Sequence, residues 1–416
     1  MKVVVVTEWT PTPENRGGIS ALHYSIIKYR PLWVDVKIYT YNLNKISKEE
    51  LEGISKELRA EICVLLSPKK WYESFSKKWR ARYELYVKNY PPSASFYDKG
   101  IIDIVDKEQC DFIFLYPRAM YALAEMLPQK KFVISGPDCE SLNRARRFLS
   151  PFRLNTRKMI TEDFFYILKY RNMEKIWGAK NVWVHFVGMA DYKFYCDVSG
   201  NTNAHFLLHP FVKYREKVID FTSKEKLKVI IPGSYDMYYN VDVDKMLPSL
   251  IEHKDVLLKH FEFTFLGKHW SPIDQRLKEA GFDCEFKTWV DDYAEELVQH
   301  DIQITPISFG TGTKGKVLDA MVNGLLVIGS DYALENICVR DMESCVRYRD
   351  ASHIASILIS VANHRERYQA IAEKGRAQVL KYHDPTRISK RFFEIYYREL
   401  TGKKFSAEVE KEKGEG

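Results

Sequence analysis

DIQITPISFGTGTKGKVLDAMVNGLLVIGS, residues 301–330, is the stretch on which the fold turns. Its first residues, 301–306, are a short apolar run and predict a buried strand. Residues 309–316 are rich in Gly, Thr and Lys, the composition of a tight loop. The pattern over 317–323 predicts the start of a helix, Gly324 ends it, and 325–328 predicts the next strand. A strand, a glycine-rich loop, a helix and a strand in this order aim helix N-terminal amides at an anion. Lys314 and Lys316 fall in the first helical turn, where a cation opposes the helix dipole. A bound phosphate or diphosphate relieves that opposition. Asp319, one turn on, can face the same pocket and accept from a sugar hydroxyl. The alternative is a strand–helix unit without a ligand, in which Lys316 pairs with Asp319 along the helix.

Composition sets the frame around this unit. At 416 residues the chain is too long for one ordinary core, and two domains are expected. Hydrophobic residues at 45% and charged residues at 29% belong to a soluble globular protein. The seven cysteines are dispersed, without CxxC or Cys/His clusters. That pattern points to reduced thiols and a cytoplasmic setting, with neither a disulfide framework nor a metal site. The opening MKVVVVTEW is a first strand, too short for a signal peptide. No window of apolar residues is long enough to span a bilayer. The charged tail 403–416 is expected to be disordered.

Strand and helix patterns alternate along the whole chain, which predicts an α/β protein with parallel sheets. Strands are expected at 2–7, 34–41, 60–65, 112–116, 132–135, 182–186 and 204–208, with helical patterns between them, notably 19–28 and 157–177. The charged segment 210–223 reads as a linker. A second strand series follows at 227–231, 261–266, 283–286, 302–305 and 326–328. Residues 350–380 read as a long helical region. His383-Asp384-Pro385 breaks it, and 386–400 is a final amphipathic helix. Ligands of such sheets bind beyond the carboxyl ends of the strands.

The segment GTGTKGKVLDAMVNGLLVIGS, 310–330, resembles the donor-binding segment of GT-B glycosyltransferases of the family 4 type, the glycosyl transferases of group 1. The resemblance implies a GT-B architecture: two Rossmann-like parallel-sheet domains facing an interdomain cleft. Residues 1–213 would be the acceptor-binding domain and 227–383 the nucleotide-sugar-binding domain. Residues 384–402 would be a helix packing back toward the first domain. It also implies that Gly310, Thr311, Gly312, Thr313, Lys314 and Lys316 hold the donor diphosphate and that Asp319 binds the ribose. The family form has two glutamates eight positions apart; here Thr311 and Asp319 occupy those positions.

Other segments extend the likeness. In ENRGG, 14–18, Gly17 and Gly18 stand where the family has a Gly-Gly loop facing donor phosphate and acceptor; a plain turn is the alternative. In VISGPDCESLNRARR, 133–147, Asp138 stands where the family has a His-Asp pair, with Pro137 at the histidine position. Asp138 is thereby implied in catalysis, in contact with sugar hydroxyls, and a helix N-cap is the other reading. In LKVIIPGSYDMYYNVDVDKML, 227–247, Gly233 and Asn240 fit the first loop of the second domain, Asn240 alternatively as a helix cap. The Arg/Lys pair of other branches is absent there, and Lys314 and Lys316 would substitute. FKTWVDD, 286–292, matches the turn that holds the nucleotide base around Trp289 and Val290; a core tryptophan is the alternative.

The implied activity is a retaining transfer of a sugar from a nucleotide-diphosphate donor to a glycan or lipid-linked acceptor, as in cell-surface polysaccharide or glycoconjugate synthesis. A UDP-sugar is expected as donor ahead of a GDP-sugar. No bound metal or cofactor is expected, since Asp242-x-Asp244 opens a predicted helix and not a metal-binding loop. A nucleotide-sugar 2-epimerase of the same fold and a non-catalytic sugar-nucleotide or glycan-binding relative are the alternatives. Residues 68–90, PKKWYESFSKKWRARYELYVKNY, set aromatics at helical spacing among basic residues. Such a helix suits an anionic membrane surface and would make the protein peripheral there; packing on its own domain with a solvated basic face is the other reading. No nucleic-acid module is present.

Overall fold

Val3, Val4, Val5 and Val6 point alternately to opposite faces of a strand, yet all four are buried. A strand apolar on both sides belongs to a parallel sheet covered by helices on each face. That is the arrangement in the computed structural model, which describes residues 1–14, 16, 20–66, 99–136, 138–150 and 157–403. The chain divides into two units. Unit 1 comprises Met1–Ala145, Glu162–Val212 and Pro385–Gly416; unit 2 comprises Arg146–Thr161 and Lys213–Asp384.

Unit 1 is built on seven strands: β1 (Lys2–Thr7), β2 (Asp35–Thr40), β3 (Glu61–Val64), β4 (Phe112–Tyr116), β5 (Phe132–Ser135), β6 (Val182–Phe186) and β7 (Ala204–Phe206). Their order is β3-β2-β1-β4-β5-β6-β7, all parallel. The order therefore reverses between β1 and β4. One face of the sheet packs Val3 and Val5 with Val36, Ile38 and Phe114; the other packs Val4 and Val6 with Leu115, Ile134 and Val184. The helix Pro385–Thr401 covers the first face. Ile388, Phe392 and Tyr396 recur every fourth residue and are buried as one stripe. The Ser389 hydroxyl donates to the Ile26 carbonyl at 2.6 Å. Each buried side chain of this size contributes about 1.5–3 kcal/mol, so the sequence-distant helix is a structural part of unit 1.

Unit 2 carries β8 (Leu227–Pro232), β9 (Phe261–Leu266), β10 (Cys284–Lys287), β11 (Ile302–Thr305), β12 (Leu326–Gly329) and β13 (Val346–Arg347). The order is β10-β9-β8-β11-β12-β13, with the reversal between β8 and β11. Two expectations change here. The stretch 350–380 is not continuous: His364, at φ −134 and ψ 47, separates the helices Ile354–Asn363 and Arg365–Tyr382. The first packs on the helix Asn240–Glu252 and the second on the helix Gly315–Val322 and β12. Different partners demand different directions, and no Gly or Pro marks the break.

The second change concerns 210–223, read as a linker. Lys213 and Arg215 pair with Asp292 at 2.5 and 3.1 Å. The Arg215 amide donates to Asn323 Oδ1 at 2.7 Å. Asp301, buried, receives Lys224 at 2.7 Å and Lys217 at 3.5 Å. Desolvation pulls the Lys217 pKa below the usual lysine value, with Asp301 opposing. These charges fasten the segment along unit 2. The basic aromatic segment 68–90 and the tail from 404 lie outside the described residues. Among the described residues no helix is long and apolar enough to cross a membrane.

His185, in β6, is buried with its ring edge-on to Phe392. Burial, with His205 adding to it, pushes its pKa from 6.5 down to about 3. The unfolded chain takes up a proton below about pH 6.5 that the folded chain refuses until about pH 3, so stability falls as pH falls through that window. Urea unfolding at pH 7 and pH 5 should show the wild type losing on the order of 2 kcal/mol more than His185→Leu over this interval. Equal losses would remove His185 as an acid-sensitive element.

Candidate functional site

In parallel sheets ligands bind beyond the carboxyl ends of the strands, where the strand order reverses. In unit 2 that reversal lies between β8 and β11. After β11 the chain runs through Pro306–Lys314 into the helix Gly315–Val322. Gly312 has φ +68, a left-handed conformation that a side chain resists. The loop is pinned along its length. The Ser308 amide donates to the Tyr238 carbonyl at 2.8 Å, and Ser308 Oγ accepts from the Asp242 amide at 3.1 Å. Ser330 Oγ donates to the Ile307 carbonyl at 2.6 Å, and Asn336 Nδ2 to the Gly312 carbonyl at 3.2 Å. Phe309 is buried with its ring 4.9 Å from Tyr238.

The neighbouring loop, after β8, is equally constrained. Gly233 and Gly267 approach so closely that a Cβ on Gly267 would lie 1.8 Å from the Gly233 oxygen. Trp270 Nε1 donates to that same oxygen at 3.0 Å, and the Tyr239 hydroxyl donates to the Pro232 carbonyl at 2.7 Å. Asn240 opens the helix Asn240–Glu252, and the residue in the cap position is Tyr239. Asn240 Oδ1 is buried with no hydrogen-bond partner among the described residues. Asn240 is thus not the cap that the sequence left open.

Lys314 occupies the N-cap position of Gly315–Val322. Its ammonium folds back to donate to the Thr311 carbonyl at 2.5 Å and the Gly312 carbonyl at 3.2 Å. The cation therefore holds the loop shape as well as placing charge at the helix start. Lys316 is solvent-exposed, and its carbonyl accepts from Gln303 Nε2 at 3.2 Å. The protein mass around its ammonium nevertheless lowers the Lys316 pKa below the usual lysine value; Asp319 and Asp236 pull the other way. Burial, then Asp319, raises the Tyr293 pKa well above its ordinary value. Its hydroxyl reaches Gln303 Oε1 at 3.4 Å. Thr311 is buried and Thr313 half-buried. Together these residues set helix amides, two ammonium groups and a carboxylate within one loop and one helical turn, which suits an anion bearing a hydroxylated group.

Gln303, Tyr293 and Asp236 are absent from the sequence-based reading. A glutamine between two isoleucines in a buried strand was the available signal for Gln303. Trp289 is 69% exposed, which removes the core-tryptophan alternative, and Val290 beside it is half-buried. Asp292 caps the next helix, Tyr293–Val298, accepting from the Ala294 and Glu295 amides. The Asp242-x-Asp244 pair lies in the first turns of Asn240–Glu252. Asp242 accepts from the Tyr348 hydroxyl at 2.6 Å. Desolvation raises the Asp242 pKa, and the Tyr348 bond opposes that rise.

In unit 1, Asp138 is half-buried in the bend between β5 and the helix Glu140–Leu149. The amides around the helix start are held by carboxylates from elsewhere. Cys139 N donates to Asp191 Oδ1 at 2.8 Å and Ser141 N to Glu174 Oε1 at 3.2 Å. The Ser141 hydroxyl also donates to Glu174. Glu174 and Asp191 are fully buried and come from the helices Arg157–Ile176 and Met189–Ser199. Both escaped the sequence-based reading, because nothing local links them to the loop they hold. Gly17, Gly18 and Pro137 lie outside the described residues. Among the described residues no three His, Cys, Asp or Glu side chains group as metal ligands.

Tyr348 is buried, and its hydroxyl is a partner of the half-buried Asp242 carboxylate. Tyr348→Phe should lower stability by about 1–3 kcal/mol in urea unfolding at pH 7, the cost of leaving that carboxylate short of a donor. A change below about 0.5 kcal/mol would mean that water replaces the phenol.

Residues 246–394 match the family described as "Glycosyl transferase-like". No curated protein matches the chain. Solved structures resemble it over nearly its full length. HepE of Anabaena, in complex with UDP-glucose, has a TM-score of 0.64 at 11% identity, over 95% of this chain and 99% of that one. The sucrose-phosphate synthase of Thermosynechococcus elongatus has a TM-score of 0.67 at 12% identity, over 97% and 100%. WaaG, a glycosyltransferase involved in lipopolysaccharide biosynthesis, has a TM-score of 0.60 at 14% identity, over 97% and 100%. At these identities the shared property is the fold, the two-domain GT-B architecture.

Proposed function

With a glycosyl transferase-like segment over residues 246–394 of a GT-B frame, we propose that the chain is a glycosyltransferase that moves a sugar from a nucleotide-diphosphate donor to a glycan or lipid-linked acceptor. The observation that carries this reading is the pinned loop after β11, which sets Lys314 at the N-cap of Gly315–Val322 and Lys316 in its first turn.

In this reading the diphosphate lies on Gly310, Thr311, Gly312 and Thr313, and the helix amides with Lys314 and Lys316 stabilise the charge that develops as it leaves. Asp319 accepts from a ribose hydroxyl. Trp289 and Val290, on the same edge, receive the base. Gly233 keeps the adjoining loop low enough for the phosphates to approach. The donor is a UDP-sugar rather than a GDP-sugar, a choice supported by the HepE structures, which hold UDP-glucose and UDP.

The reaction proceeds with retention: the departing diphosphate oxygen takes the proton of the acceptor hydroxyl as that hydroxyl attacks the same face of the sugar. Asp138 contacts sugar hydroxyls during the step. The helix amides and lysines supply the counter-charge, so turnover needs no bound metal or cofactor. The basic aromatic segment 68–90 docks the protein on an anionic membrane surface, consistent with cytoplasmic synthesis of a surface polysaccharide or glycoconjugate.

Calorimetric titration with UDP tests the donor site. Lys316→Ala and Asp319→Asn should each weaken UDP binding, by about 1–3 kcal/mol for a charge-assisted contact. Lys314→Ala should weaken it as well and should raise proteolytic sensitivity at 306–316, because the same ammonium closes the loop. Undiminished UDP affinity in the Lys314→Ala/Lys316→Ala double variant would sink this site. Product NMR showing an inverted anomer would remove the retaining mechanism alone.

A further inference from the structure

β11 is a central strand of unit 2, paired with β8 and β12 at the reversal of strand order. In a strand covered on both faces the side chains are expected to be apolar. Ile302 and Ile304 follow that rule, and Gln303 between them is fully buried as well. A buried primary amide costs stability unless its two N–H donors and its oxygen are bonded. Here all three are. Gln303 Nε2 donates to Thr305 Oγ1 at 2.9 Å and to the Lys316 carbonyl at 3.2 Å, and Oε1 accepts from the Tyr293 hydroxyl at 3.4 Å.

The first of these bonds is local, since Thr305 is two residues on and faces the same side of the strand. The other two join separate elements. Lys316 lies in the first turn of the helix Gly315–Val322, which follows the loop that carries Lys314. Tyr293 opens the helix Tyr293–Val298. It follows directly on Asp292, which caps that helix and closes the turn holding Trp289 and Val290. One side chain on a rigid strand thus ties both elements to the same point. Packing alone would be met by an apolar side chain of similar volume. A buried polar network with every member satisfied fixes one arrangement of the elements that it joins.

We propose that Gln303 is a positioning residue for the nucleotide: by holding the Lys316 carbonyl and the Tyr293 hydroxyl together, it sets the spacing between the phosphate-binding helix and the turn that receives the base. Gln303 itself touches no ligand. The inference rests on the reading of this part of unit 2 as a nucleotide-diphosphate site. Two linked groups reinforce each other's binding only while both can be engaged at once. A misplacement of about 1 Å is enough to lose much of that gain. Each half alone, by contrast, is indifferent to the spacing.

Calorimetry on the full chain with UDP and with inorganic pyrophosphate separates positioning from support of the fold. Gln303→Leu should lower UDP affinity at least tenfold, while pyrophosphate affinity stays within twofold of the wild type because Lys314, Lys316 and the helix amides remain. Tyr293→Phe, which cuts only the link to the base turn, should lower UDP affinity at least threefold with pyrophosphate unchanged. Added to Gln303→Leu, it should cost no more than a further twofold. Unchanged UDP affinity in either variant would make Gln303 a packing residue and overturn the proposal, whatever the melting temperature does. Equal losses for UDP and pyrophosphate would overturn it too, as would a wild type that binds UDP without binding pyrophosphate. If the Gln303→Leu chain does not fold, Tyr293→Phe decides by itself. A wild type that does not bind UDP counts against the nucleotide-diphosphate reading, and this inference falls with it.

Discussion

A parallel sheet is stable only when helices cover both of its faces, because each crossover returns over the sheet and the strands are apolar on both sides. In this protein that constraint buries all of β1 after its first residue and the whole of β4, β5, β11 and β12. The faces are thereby closed to ligands. What remains open is the edge at which the strands end and the loops begin, and there only the reversal between β1 and β4 and that between β8 and β11 spread neighbouring loops apart.

The buried charges sort by the same logic. Asp301, Glu174 and Asp191 each hold amides or ammonium groups and act as fasteners: Asp301 secures the entry of the chain into unit 2, and the other two secure the loop that carries Asp138. Lys314 has the same character, since its ammonium closes its own loop. Removing a partner from any of these leaves a buried polar group unsatisfied, which is costlier than the net worth of the bond. Glu8 and Asn240 differ. Each sits on a strand-end loop or the helix start after it, and each keeps a buried oxygen without a partner among the described residues.

Much of the local order was legible in the sequence because it is local. The loop 309–316 announces itself through Gly and Thr before a helical pattern, and the run of valines after Lys2 announces a strand buried on both faces. The resemblance to GT-B glycosyltransferases, carried by residues 310–330, anticipated the architecture seen in the neighbouring structures. The break at His364 was not legible, since no Gly or Pro marks it and the direction of each helix is set by the element beneath it. The partners of the charges around 213–224 were not legible, because Asp292 and Asp301 lie more than seventy residues away.

The sequence by itself determined the alternation of strands and helices, and the glycine positions and cations of the loop 309–316, all of which depend on spacing within a few residues. Tertiary structure decided which carboxylates are fasteners and which are unsatisfied. Cys139 meets Asp191 across 52 residues and Ser141 meets Glu174 across 33. It also decided that Trp289 faces solvent and that Glu8 does not. Exposure and pairing are properties of what packs against a side chain, and in a sheet whose neighbours in space are distant in sequence, no local pattern carries that information.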